Sequence, residues 1–488
     1  MPFYSARANR LSQFALVHRS LMHAQQLPLH EAISEERIAE VFRQEGIEFG
    51  QEEDAVYTPA VTLWGLLSQV FFAQEQRSCL AAVVRIVALW ALLGRRVCST
   101  NTGAYCRARR KIKATALRRI SGEIAQTTEA RCRAAQAAGG QAGPAIAPQL
   151  TAHSWGRFVM IDGFTVTAAD TEENQAEYPQ NPVQQPGLGF PILRGVVLMS
   201  LATGLLIDAE LGPYCGKETG ETALFWKLRH QLRPGDTLIG DSYYCTYWIL
   251  AACQQQGVAV VMRNHHLRKD DLAVAKRLRG GEYEVTWKRP QRPEWMTEDE
   301  YASLPPEIRV RLVQVSCDVP GQRTQQLTIV TTRLDHVVYS GEWIASLYRG
   351  RWTVELDIRA LKVTLGMDLL RAKSPEMVRT ELWSCLVVYN LIRYSMLQTA
   401  CQTGVRCREM SFTATLQLLG NLWLVNVVLE LTAEMQKFRA RQQTAIPVGQ
   451  RPDRYEPRAN KRRPKILALL TKPRAEARAE LLNADKCS

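Results

Sequence analysis

The chain has 488 residues, 46% apolar and 22% charged, and 61 Lys plus Arg against 48 Asp plus Glu leave a net charge of +13. This is a globular composition long enough for two to four domains, which excludes extended disorder. Arg85 breaks the apolar window 80–94 and Arg393 breaks 386–397, so no stretch reaches the roughly 18 uncharged apolar residues of a membrane span. MPFYSARANRLSQF lacks a charged-then-apolar signal pattern, and the expected location is the cytosol, with no membrane partner. Twelve Cys without a CxxC pair read as core residues or plain thiols rather than a zinc site.

In chain order, Ser34 opens SEERIAEVF as a capped amphipathic helix, and helical periodicity continues over 62–72 and 79–93. A basic helix is expected over 101–120, with Tyr105, Arg109 and Lys113 at i, i+4 and i+8 along one face. Joined to the preceding helix through 94–100, it reads as a helix-turn-helix-like DNA contact, the alternative being a solvated face on a bundle. Residues 77–120 hold eleven Lys or Arg and no acid, and residues 437–488 hold fourteen basic against five acidic residues. These two arms carry +20 and the other 392 residues −7, a segregation that points to nucleic acid. The Ala/Gly/Pro-rich stretch 134–150 reads as a linker.

From Phe158 the pattern is of strands: RFVMIDGFTV, then 192–200 and 204–211, a helix over 219–232, a strand over 237–239 ending at Asp241, a helix over 247–256 and a strand over 258–263. This order suits a mixed sheet with an antiparallel start and a parallel finish. Turn-broken, Arg-rich sequence over 264–335 with strands at 283–288, 310–317 and 326–332 reads as a β-rich insertion, and helices return over 341–365 and 375–399.

Asp162 closes the apolar run VMI and Asp241 closes TLIG, so each carboxylate is expected at a sheet edge, where ligands bind, although such acids also cap turns. Tyr348, Arg351, Glu355 and Lys362 are spaced 3, 4 and 7 apart, close to one helical face; the plain alternative is an exposed salt-bridge stripe. Asp170 in DTEENQ reads as a cap or loop residue, and His265 with His266 is weak for metal. Lys217 is not preceded by a phosphate-binding loop, so no nucleotide cofactor is expected.

The run Tyr348-x2-Arg351-x3-Glu355-x6-Lys362 resembles the Y-(2)-R-(3)-E-(6)-K signature of insertion-sequence transposases with a DDE catalytic triad. IDGFTVTAADTEENQAEYPQ around Asp162 and LIGDSYYCTYWIL around Asp241 resemble the family's first and second catalytic blocks, and NTGAYCRARRKI its N-terminal region. The resemblance implies a ribonuclease-H-like α/β fold with a β-rich insertion. The expected organisation is a helical DNA-binding segment over 1–133, a linker and entry to the core over 134–157, core over 158–263, insertion over 264–340, catalytic helix and core completion over 341–400, and C-terminal helices with a basic tail over 401–488 that contacts DNA or a second protomer. It further implies that Asp162, Asp241 and Glu355 hold two Mg²⁺ or Mn²⁺ ions about 3.5–4 Å apart, Asp162 bridging both. Arg351 and Lys362 would bind phosphates and Tyr348 would position the DNA backbone. A flipped base would stack on Trp343 or Trp352, each of which also reads as core. The implied function is cleavage at terminal inverted repeats and joining of 3′ ends to target DNA by a DNA-bound homodimer. The alternatives are a catalytically inactive DNA-binding regulator and a purely hydrolytic nuclease of the same fold.

Overall fold

The computed structural model describes residues 32–52, 55–72, 77–92, 98–137, 156–268, 270–317, 325–422, 441, 443–445 and 469–484. Among the described residues, five helices come first. Helix α1 (Glu35–Gln44) starts where the Ser34 side chain accepts from the Arg37 amide, the expected cap. Helix α2 (Pro59–Phe71) starts at Thr58 with Pro59 in its first turn, and every residue of it is buried. Helices α3 (Cys79–Leu92), α4 (Gly103–Arg109) and α5 (Ala114–Ala137) follow. The basic helix expected over 101–120 is therefore two helices, broken at 110–113, and α5 extends into the stretch read as linker. Residues 93–97 of the supposed helix-turn-helix join, and 138–155 of the linker, lie outside the described residues.

Strands β1 (Phe158–Thr167), β2 (Ile192–Ser200), β3 (Leu206–Pro213), β4 (Thr237–Gly240) and β5 (Ala259–Arg263) form the first part of one sheet. Helices α6 (Glu172–Glu177), α7 (Glu221–Leu228) and α8 (Tyr247–Gln255) lie between them in sequence. β1 and β2 pair antiparallel, as do β2 and β3, whereas β4 runs parallel to both β1 and β5, which is the mixed order the sequence predicts. The insertion supplies β6 (Lys276–Arg277), β7 (Tyr283–Lys288), α9 (Glu298–Ser303), β8 (Glu307–Cys317) and β9 (Gln325–Thr331). Its strands continue the same sheet, because β9 pairs antiparallel with β5 from Val261–Thr331 to Arg263–Ile329. The full order is β3-β2-β1-β4-β5-β9-β8-β7-β6.

Strand alternation assigns the two faces. Val159 and Ile161 of β1 join an apolar cluster with Leu224 and Phe225 of α7 and Ile249 and Leu250 of α8. Phe158, Met160, Phe164 and Val166 face the other way, into a cluster shared by the N-terminal helices and by α10 (Gly341–Arg349), α12 (Pro375–Thr403) and α13 (Phe412–Leu422). The N-terminal helices and the sheet thus share one core. Much of the first basic arm is spent on that packing. Arg77 bonds Glu381 at 3.0 Å, and Arg118 meets Asp208 at 2.8 Å and Glu210 at 3.1 Å on β3. Arg85 donates to Ser68, and Arg119 pairs with Glu45. Of the second arm, residues 446–468 lie outside the described residues, and α14 (Arg474–Ala484) is helical.

Candidate active site

Asp162 does not end its strand. β1 continues to Thr167, and Asp162 pairs in register with Val197 of β2. The pairing of β1 with β4, however, stops at Met160–Ile239, and β4 ends at Gly240. Asp162 and Asp241 therefore both follow that last pair by two residues, on adjacent parallel strands, and strand alternation sends them to the same face. An Asp162 carboxylate oxygen accepts the Gly163 amide at 2.8 Å, and Asp241 accepts the Tyr243 amide at 2.9 Å.

The third acid comes from helix α11 (Trp352–Arg359). The 341–365 region is helical as expected but not uniform. At Gly350 and Arg351 the hydrogen bonds tighten to i→i−3 spacing, and from Ala360 to Thr364 the helix widens into a π turn. The tight turn is bound to the sheet: Leu201 leaves no room for a side chain at Gly350, and the Thr353 hydroxyl lies 3.5 Å from the Met160 sulfur. Beyond the π turn, backbone bonds join Thr167 of β1 to Asp368 and Leu370. On the inward side of α11, fully buried Asp357 accepts from Arg393 of α12 and from Arg408 at 3.1 Å. Arg408 also donates to the Leu201 carbonyl at 2.9 Å. The helix is tied at both ends and in the middle, and Glu355 projects from a fixed element.

Arg351 occupies the centre of the constellation. It donates to Glu355 at 2.9 Å, approaches Asp162 at 4.0 Å and stacks over Trp352 at 4.5 Å, with its side chain 8% exposed. Its buried Nε has no hydrogen-bond partner. Glu355 is 52% exposed and Asp162 20%. Burial pushes the Asp162 carboxyl up to about 6 from an ordinary 3.8, and the charges of Asp241 and Glu221 add to that rise; the Gly163 amide and Arg351 oppose it. Among the described residues no group of three or more His, Cys, Asp or Glu side chains is arranged to hold a metal ion. Glu355 is engaged by Arg351 instead of converging with the two aspartates.

The other residues singled out in the sequence divide. Lys362 lies half-buried in the π turn. Tyr348 is buried in the core, and a DNA contact there is corrected by that burial. The same correction applies to Tyr105, which is fully buried and donates its hydroxyl to Gln69 at 2.7 Å. Arg109 leans toward the same Gln69, and Lys113 is exposed, donating to the Glu45 carbonyl from beyond the helix break, so the three do not form a stripe. Trp343 packs against the core. Asp170 accepts from Gln175 and lies beside the Thr171 cap of α6, as a loop residue should. His265 and His266 stack on each other. Two residues escaped the sequence reading. Arg359, exposed one turn beyond Glu355, was legible from helical spacing. Glu221, whose carboxylate lies against Gly163, carried no sequence signal.

Residues 156–391 match the family model of the transposase DDE domain. Transposase InsG for insertion sequence element IS4 of Escherichia coli (strain K12) is 30% identical over 254 residues, covering 49% of this chain and 52% of that protein. The probable transposase for insertion sequence element IS5377 of Geobacillus stearothermophilus is 35% identical over 83 residues, 17% of this chain and 22% of that one. The chain thus spans about half the length, or less, of these curated relatives. A solved structure, the piggyBac transposase synaptic complex with hairpin DNA, aligns with a TM-score of 0.41 at 9% identity, over 91% of this chain and 87% of that one. No helix among the described residues is long and apolar enough to cross a membrane. Over residues 156–391, just under half of its length, the chain carries a match to the transposase DDE domain, and in its sequence it is similar to insertion-sequence transposases.

Proposed function

We propose that the protein binds the terminal inverted repeats of its own element, cleaves DNA beside them and joins the 3′ ends to target DNA, acting as a homodimer on the paired ends. The observation that carries this reading is the pair Asp162 and Asp241, each two residues past the last β1–β4 pair, with Arg351 reaching from Asp162 to Glu355. Their chemistry fits divalent cations: the donors are all carboxylate oxygens, which suit Mg²⁺ or Mn²⁺, and Asp162, whose carboxyl burial raises, also feels the charge of Asp241. Asp162, Asp241 and Glu355 would hold two such ions, which when bound activate a water or 3′-hydroxyl and stabilise the leaving oxygen.

The chain's own residues do the rest. Asp162 is carried by β1, Asp241 directly follows β4, and Glu355 is carried by a helix that Asp357 pins. Arg351 has three donor nitrogens at the site and only one close carboxylate bond, so an incoming phosphate offers it better partners, freeing Glu355. Lys362 and exposed Arg359 extend the positive surface along the strand being cut. Exposed Arg107, Arg110 and Lys111, together with the C-terminal basic tail, supply further phosphate contacts.

The test is cleavage of duplexes bearing the element's ends. Glu355→Gln should lower Mg²⁺-dependent cleavage by roughly a thousandfold or more while end binding in gel shift stays near that of the unaltered protein. A variant that cuts at the wild-type rate removes the triad assignment. A gene never bracketed by inverted repeats and short target duplications, in any copy, would count against transposition.

A further inference from the structure

Behind the two aspartates, on the opposite face of the sheet, lies a second arrangement. Gly163 follows Asp162 and Gly240 precedes Asp241, and each leaves a gap where a side chain would stand. A Cβ at Gly163 would sit 2.3–2.5 Å from the Glu221 carboxylate, and one at Gly240 would meet Ile161 at 2.9 Å and the Tyr244 Cβ at 3.4 Å. Tyr244 is 1% exposed and donates its hydroxyl to Glu221 at 2.7 Å. Burial, then the neighbouring Glu221, pushes the Tyr244 phenol well above its ordinary 10.0, so it keeps the proton it donates. One hydrogen bond therefore links the first residue of α7, packed against the strand of Asp162, to the segment that leaves β4 through Asp241.

We propose that Glu221 and Tyr244 are positioning residues for the cleavage reaction: their bond, which joins a carboxylate seated against Gly163 to a side chain whose Cβ rests beside Gly240, sets Asp162 and Asp241 at the separation that a divalent cation requires. This rests on the reading of the two aspartates as the cleavage centre. β1 and β4 are not paired beyond Met160–Ile239, so the strand ladder alone does not hold Asp162 against Asp241. Side-chain packing through the two glycine gaps takes over where the ladder stops. Carboxylate sites tolerate little displacement of their ligands, and a misplacement of about 1 Å costs on the order of a hundredfold in rate.

The experiment measures Mn²⁺ stabilisation of the DNA-free full chain by thermal unfolding, and Mn²⁺-dependent end cleavage. Tyr244→Phe and Glu221→Ala should each raise the Mn²⁺ concentration for half-maximal stabilisation by roughly tenfold and lower cleavage by roughly tenfold to a hundredfold, with end binding unchanged. The double variant should be no worse than either single one, because both remove the same bond. Glu221→Gln, which keeps an acceptor and the shape, should recover most of both signals and guards against misfolding of the alanine variant. Wild-type Mn²⁺ response in Tyr244→Phe and Glu221→Ala, or additive losses, would overturn the inference alone. A wild-type chain that neither responds to Mn²⁺ nor cleaves, like Asp162→Asn, would overturn the cleavage-centre reading and this inference with it.

Discussion

Helix α11 carries two arginine–carboxylate groupings two residues apart, and they differ in kind. On its inner side Asp357 is fully buried and takes bonds from two guanidiniums, Arg393 and Arg408. On its outer side Glu355 is half exposed, Asp162 is held only at 4.0 Å, and Arg351 retains a buried nitrogen without a partner. The first is saturated and has nothing to gain from a new ligand. The second is under-satisfied, so either a phosphate or a divalent cation improves it. The same chemical pair serves as an anchor when its bonding capacity is filled and as an exchangeable site when it is not.

Breaking the anchor should have the largest effect. Asp357→Asn leaves buried Arg393 and half-buried Arg408 facing a neutral amide, and should cost about 3–5 kcal/mol in chemical denaturation. It should also weaken cleavage, because Glu355 loses its fixed support; an unchanged midpoint would show that the inner grouping is not the anchor.

The open grouping is tested by pH. Asp162 ionises near 6 in the folded chain and near 3.8 when unfolded, so between those values the folded state binds more protons and stability falls as pH rises. Above about pH 6 the fold carries an ionised Asp162 at a cost. Asp162→Asn should therefore be the more stable protein at pH 7 in chelator, by on the order of 1–2 kcal/mol, and the advantage should vanish toward pH 4. Parallel stability curves for the two proteins across that range would contradict the assignment.

The smallest effect belongs to Arg351→Ala. Loss of one loosely held cation should destabilise the metal-free chain by ~1 kcal/mol, and added Mn²⁺ should then restore more stability than it gives the wild type, because nothing competes for Glu355. Equal Mn²⁺ gains in the two proteins would show that Arg351 does not compete.

What was legible in the sequence follows the same division. The acids at the ends of apolar runs, and the strand order around them, could be read because β4 and the start of β1 are buried on both faces and so stand out as short unbroken apolar runs. The helical spacing of Arg351 and Glu355 was likewise visible. Which side of a helix faces the core was not: Tyr105 and Tyr348 share the spacing of surface residues, yet each fills a pocket in the shared core. The cations of 77–120 resembled a DNA grip because the acids that neutralise them, such as Asp208, Glu210 and Glu381, lie far along the chain. Glu221 was invisible for a similar reason, since only the folded sheet brings it behind Gly163. The insertion was recognised as β-rich, but its union with the core sheet depends on the β5–β9 pairing, which no local pattern encodes.

The two guanidiniums that close Asp357 come late in the chain. Synthesis delivers the strands β1 to β5 by Arg263 and the whole of α11 by Arg359, whereas the partners of Asp357 arrive only with Arg393 and Arg408. Until then α11 can dock only by burying an unpaired carboxylate, a cost of several kcal/mol that holds it off the sheet. A nascent chain therefore contains Asp162, Asp241 and Glu355 well before α11 can settle on the sheet, and the proposed site is complete only after Arg408 has been added.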